Sequence, residues 1–288
     1  MEFILFRIKV NSSSQEIHMP KSNSGPSPVG RLLRDWRSVR GMSQLDLALA
    51  AGVSSRHLSF VETGRSNPSR DLLLCLANAL AVPLRARNDL VLAAGFAAPY
   101  RETRLDDAAL ERARFALDLI LAGQEPYPAF VIDRHWNAVM ANQSMVRMLT
   151  LLMGPDAMTD GPVNVVRLIL DPGQLRPWVE DWPTVARLLV ARVKHEASAR
   201  GIDAEMDAFI EELFSYPDVP REWAAPDRAI EDPFLRLTVE KDGNRMSWFS
   251  TVTTFGTAQD VTLQELIIEA LYPADEETAQ MAETLSKQ

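Results

Sequence analysis

The chain of 288 residues is 47 % hydrophobic and 24 % charged, with a formal net charge of −9, a mixture typical of ordinary globular proteins. No apolar run approaches the ~18 residues of a membrane span, and the single cysteine, Cys75, excludes an internal disulfide and fits a reducing cytoplasm. The length allows two domains of ordinary size.

Residues 1–28 open with a short apolar run, Phe3–Val10, interrupted by Arg7 and Lys9. A stretch rich in Ser, Asn and Pro follows, with little to bury, so the segment reads as a disordered leader rather than a signal peptide. From 29 to 98 the pattern becomes five short helices, at about 29–40, 43–50, 54–62, 69–80 and 85–94, broken at Gly41, Gly52, Gly64, Pro68, Pro83 and Gly95. Here nine Arg face five Asp/Glu, a net +4, whereas 99–288 carries −14. The acidic whole therefore conceals one basic segment, and a polyanion would meet that segment first.

The stretch "MSQLDLALAAGVSSRHLSFVETGRSNPS" (Met42–Ser69) fills the basic segment with a recognisable device. Leu47 and Ala48 face inward from a helix beginning near Gln44, and Leu58 and Val61 form the buried stripe of a second helix. Gly52 permits positive φ where the chain reverses between them. Ser43 and Ser54 stand at N-cap positions, and Ser43 with Asp46 makes an imperfect capping box. Over about Val29–Ala98 the chain resembles the lambda-repressor-like (XRE-type) helix-turn-helix family, down to the exit sequence "ETGRSNPS".

That resemblance implies that the second of these helices enters the major groove, with Ser55, Arg56 and Ser59 reaching base edges. Arg56 is the best base reader, because a guanidinium can bond guanine O6 and N7 together. Phe60 would meet a thymine methyl or serve packing. Gln44 matches a phosphate-contacting position, and Arg40, Ser43, Ser54, His57, Arg65 and Asn67 complete the expected interface. Glu62 is expected to pair with Arg37 rather than to meet DNA.

Residues 99–108 read as a linker and 109–288 as a second domain. "AFVID" and "NAVMAN" flank the turn-like "RHW" and suggest a hairpin that leads into a helix from about Gln143. Helical patterns follow at 163–170, 182–198 and 203–215. Two strands then flank Asp242-Gly243, a strong hairpin signal, and Leu263–Pro273 reads as a further strand whose length also allows a helix. The expected sum is an α+β domain of about five strands, with helices inserted between the first pair and the rest.

In domain order and in "YPAFVIDRHWNAVMAN", "NVVRLILDP", "WPTVARLLVARVKHEA" and the strand pair before "DEETAQ", this half resembles the PAS-like ligand-binding domain of MmyB-like transcription regulators. The resemblance implies a small-molecule pocket between sheet and inserted helices, to which Phe130, Trp136, Met140, Met145, Leu149, Leu168, Trp182, Phe209 and Trp248 could contribute an adaptable apolar lining. It also implies a fatty-acid-like effector, whose acidic head group Arg147 or Arg167 could meet.

Parts for catalysis are missing from the sequence. The four His are scattered without metal-ligand spacing, "KHEAS" lacks the second His of a zinc-protease motif, and there is no Walker loop, G-x-G-x-x-G or G-x-S-x-G. The expectation is a non-enzymatic cytoplasmic regulator, without metal, that binds a pseudo-palindromic operator in double-stranded DNA as a homodimer and senses a small molecule. The alternative keeps the DNA binding and makes the second domain a dimerisation or protein-docking module with a solid core.

Overall fold

The computed structural model describes residues 27–155, 163–201, 203–224 and 236–287. Most of the expected leader, residues 1–26, lies outside the described residues. Its last two residues belong to the fold: Ser27 accepts the Gly30 N–H through its side chain, and Pro28 occupies the first turn of α1 (Pro28–Val39), where a missing N–H costs nothing.

Four more helices follow: α2 (Gln44–Ala50), α3 (Ser55–Glu62), α4 (Arg70–Ala79) and α5 (Leu84–Ala93). Serine starts three of them, with Ser43, Ser54 and Ser69 accepting the amides of Asp46, His57 and Leu72, donors that a helix N-terminus leaves without partners. The Ser43–Asp46 box is complete rather than imperfect, because Asp46 also accepts the Ser43 N–H at 2.9 Å. Gly52 adopts φ +67° between α2 and α3, as the reversal requires. Leu33, Leu47, Leu58, Val61, Leu73 and Leu76 are fully buried in one core between the five helices.

A 3₁₀ turn (Ala108–Leu110) leads into α6 (Glu111–Gly123) and the second domain. Its sheet has five antiparallel strands in the order β2-β1-β5-β4-β3, namely β1 (Ala129–Ile132), β2 (Ala138–Ala141), β3 (Arg236–Lys241), β4 (Asn244–Thr253) and β5 (Ile267–Pro273). Between β2 and β3 run α7 (Gln143–Met153), α8 (Val165–Leu170), α9 (Trp182–Arg200) and α10 (Ala204–Leu213). The expected insertion is there. Alternation along the strands divides the core: Phe130, Ile132, Val239, Met246, Trp248, Ile267 and Leu271 pack with α7–α10 on the inner face, while Val131 and Ile268 pack with Leu117 and Leu121 of α6 on the outer face.

The expected strand over 263–273 divides into two elements, α11 (Val261–Glu265) and β5, with Leu266 in extended backbone between them. Asp242 and Gly243, at φ +53° and +80°, form the hairpin between β3 and β4, a turn with positive φ at both central residues. A last helix, α12 (Glu276–Ser286), packs on α7 and β4.

One buried polar side chain ties the first hairpin to both layers. Asn142, fully buried, accepts the Ala129 and Met145 amides and donates to the Leu121 and Tyr127 carbonyls. Asn142→Ala strands these groups away from water, so a loss of about 2 kcal/mol is expected, measurable by urea unfolding of the full chain. A change under about 0.5 kcal/mol would show that water replaces the amide there.

Candidate nucleic-acid interface and effector core

The first turn of α3 presents one exposed face. Ser55, Arg56 and His57 are exposed, Ser59 and Phe60 are half-buried, and Leu58 and Val61 point the other way into the core. Arg56 makes no ion pair among the described residues, and its guanidinium stacks over the Phe60 ring at 5.4 Å. Four residues separate the pair, one helical turn, so Phe60 serves as a shelf that limits where Arg56 can point. Arg65 and Asn67 are exposed just beyond α3.

Other expected contacts are committed within the protein. Gln44 donates to Glu62 at 2.7 Å. Arg40 donates to the Leu80 and Ala81 carbonyls at 2.9 and 3.2 Å and lies over Trp36, tying α1 to the turn after α4. Glu62, fully buried, takes a two-pronged contact from Arg37 at 2.8 and 3.0 Å, which is the expected pair. Burial pushes the Glu62 carboxyl up, but hydrogen bonds from Arg37 and Gln44, with the charges of Arg37 and Arg34, outweigh it and hold the group below its ordinary range. One carboxylate thus locks α1, α2 and α3 together.

In the second domain Phe130, Trp136, Met145, Leu149, Leu168, Trp182, Phe209 and Trp248 meet in the inner core. Met140 does not: it pairs with Val131 across β1–β2 and lies in the outer core against α6. All four residues of β2 are buried, so its sequence could not show which face is which. Arg167 is half-exposed and forks onto Glu212 at 2.7 and 2.8 Å over the Phe209 ring, so an anionic head group would have to displace an existing carboxylate.

Arg192 escaped sequence reading. It extends from α9 over the Trp136 ring at 4.8 Å and pairs with Glu269 on the inner face of β5 and with Glu196. Among the described residues two donors of the inner core, Arg192 Nη2 and Trp248 Nε1, are buried without a hydrogen-bond partner, and a buried donor left unmet costs about 1–3 kcal/mol. A surface groove of about 450 Å³ lies elsewhere, lined by Pro177, Trp178, Val179 and Glu180 together with Glu240, Lys241 and Asp242 of the β3–β4 hairpin.

The turn between β1 and β2 brings His135 to Asp203 and Glu205 at the start of α10, their ligand-type atoms within 4.8 Å of one another. Residues this far apart gave no sequence signal. The Arg134 guanidinium already bonds Asp203 and donates to His135 Nε2 at 3.1 Å, so the cluster carries its own cation.

Residues 28–90 match the model of a helix-turn-helix domain, and residues 113–285 match that of the MmyB-like transcription regulator ligand binding domain. The chain belongs to the MmyB-like transcription regulators. As a member it joins a DNA-binding type of domain, α1–α5, to a ligand-binding one built on the five-stranded sheet. No curated protein matches this MmyB-like chain. The structure of an RNA-binding light-oxygen-voltage receptor resembles it at 13 % identity and a TM-score of 0.27 over 91 % of this chain; the chain spans 64 % of that receptor's length. No helix of the described residues is long and apolar enough to cross a membrane.

Proposed function

We propose that the protein is a sequence-specific DNA-binding regulator that grips a pseudo-palindromic operator as a homodimer. The observation that carries this reading is Arg56, exposed at the start of α3, unpaired among the described residues and aimed by the Phe60 ring. Two half-sites multiply the modest affinity of one such domain.

A duplex selected by the full chain from a random-sequence library supplies the test. Arg56→Ala is expected to weaken binding by about 1–3 kcal/mol and to relax preference at one base position. Equal loss on every sequence would make Arg56 a phosphate contact. Affinity should fall steeply with salt despite the acidic whole, because the phosphate contacts lie on the basic segment.

The effector reading is that a small, largely apolar, fatty-acid-like molecule occupies the inner core between the sheet and α7–α10. The two orphan donors, Trp248 Nε1 and Arg192 Nη2, support a ligand with hydrogen-bond acceptors. The carboxylates of Glu196 and Glu269 beside Arg192 disfavour an anion there, so the part of the ligand that meets these donors is an uncharged acceptor such as an ester or amide carbonyl, on an otherwise apolar, fatty-acid-like chain. Organic extraction of the purified chain and mass spectrometry test this. A stoichiometric small molecule, diminished in Trp248→Phe, is the expected result. A clean extract would move the second domain toward the docking-module alternative.

A further inference from the structure

Helix α5 begins without a cap of its own. Pro83 precedes it and offers no side-chain acceptor, so the first amides should lack partners. The Leu84 N–H instead donates at 2.6 Å to Gln264 Oε1, from α11 of the second domain, 180 residues away. The next residue, Arg85, forks onto Glu265 at 2.7 and 2.9 Å and also binds Glu102 in the segment joining the domains.

These contacts continue inward. Glu265 also faces Arg134 at 3.7 Å, and Arg134 bonds Asp203 and receives Arg200 at its carbonyl. Arg134 lies two residues before Trp136, which is fully buried in the inner core. A second contact is steric: a Cβ on Gly201, at the end of α9, would sit 2.6 Å from the Trp36 ring of α1. The joining segment is pinned as well, with Tyr100 exchanging hydrogen bonds with Asn88 and the Arg101 carbonyl accepting the Val261 N–H. Helix α5 packs on α1, and α1 packs on α3, so whatever holds α5 and Trp36 also fixes the recognition helix.

We infer that Gln264 and Glu265 are positioning residues for DNA recognition: they cap and clamp α5 from the second domain and so set where α3 stands relative to the effector core. Neither touches the face of α3 offered to DNA. The inference rests on the regulator reading above, because in a homodimer the clamp would fix the separation of two recognition helices and hence the half-site spacing that the protein accepts.

The test uses the full chain, with Gln264→Ala and the milder Glu265→Gln. Amide hydrogen exchange at Leu84 reads the cap. It should be slow in the unaltered protein and on the order of tenfold faster in Gln264→Ala, with α3 and β5 amides unchanged. The library-selected duplex, rebuilt with its half-sites moved apart one base pair at a time, reads the positioning. A spacing preference of about tenfold should flatten in both variants while affinity for a single half-site holds. Fast exchange at Leu84 in the unaltered protein overturns the cap, and an unaltered spacing preference in both variants overturns the positioning role. If the unaltered chain selects no duplex, the regulator reading fails, and the exchange result still decides the cap.

Discussion

Glu62→Ala is expected to cost the helix-turn-helix domain about 3–5 kcal/mol, the range for removing one partner of a buried ion pair. Arg37 would keep its charge beneath α3 with, among the described residues, only the Met42 carbonyl left to accept from it, and Gln44 would lose its Glu62 acceptor. Nothing on the surface of the domain has comparable leverage, since exposed ion pairs contribute about 0–1 kcal/mol. Urea unfolding followed through the helical signal reads the loss. A cost below about 1 kcal/mol would place the pair with ordinary surface pairs.

The acid dependence of this contact has a definite sign. The folded carboxyl lies below its ordinary value of 4.5, so the stabilisation is complete above that value and disappears as pH falls through the lower, folded one. Glu62→Gln should therefore flatten the acid limb of the stability curve. An identical acid limb in the variant would assign it to other carboxylates.

Gly30→Ala is the second large effect, and two opposing magnitudes decide it. Alanine in a helix interior gains about 1 kcal/mol over glycine, and only a fraction of that at Gly30, which lies in the first turn of α1. Here the added Cβ would stand 2.6 Å from the Glu62 carbonyl oxygen and 2.7 Å from that of Val61. Both are backbone atoms at the end of α3, so α1 and α3 must separate, at a cost of about 1–3 kcal/mol or more. The clash wins, and a net loss of about 2 kcal/mol is expected. Because separation also stretches the Arg37–Glu62 contact, Gly30→Ala and Glu62→Ala should be less than additive. A Gly30→Ala protein that melts higher than the original would show that the crossing has slack.

Legibility in the sequence followed the chemistry of each segment. The first five helices could be placed within about a residue because serine caps and turn glycines mark their ends. The β3–β4 hairpin was equally plain, since Asp242 and Gly243 both tolerate positive φ. Helix α6 went unread because Phe115, Leu119 and Ile120 stay exposed on it and blur the apolar stripe. Helix α12 buries only Thr278 and Ala282 completely, too little for a periodic signal.

At the candidate sites, the exposed position of Arg56 and the Arg37–Glu62 pair followed from the resemblance to the helix-turn-helix family. The placing of Met140 failed on a strand buried on both faces. Arg192, the His135–Asp203–Glu205 cluster and the Gln264 cap were invisible for one reason: each depends on partners far away in the chain, which local pattern cannot pair.

The Gln264 cap also bears on how such a regulator can be cut apart or recombined. A truncation after Ala98 would remove a helix cap along with the second domain, and would uncover the Trp36 edge that Gly201 touches. The excised fragment would lack both contacts, so its choice of half-site spacing would say little about the intact protein. A graft of these five helices onto a foreign sensor would need an acceptor for Leu84 and an acid for Arg85 at the new junction. Those two requirements limit which chimaeras, natural or designed, would remain stable.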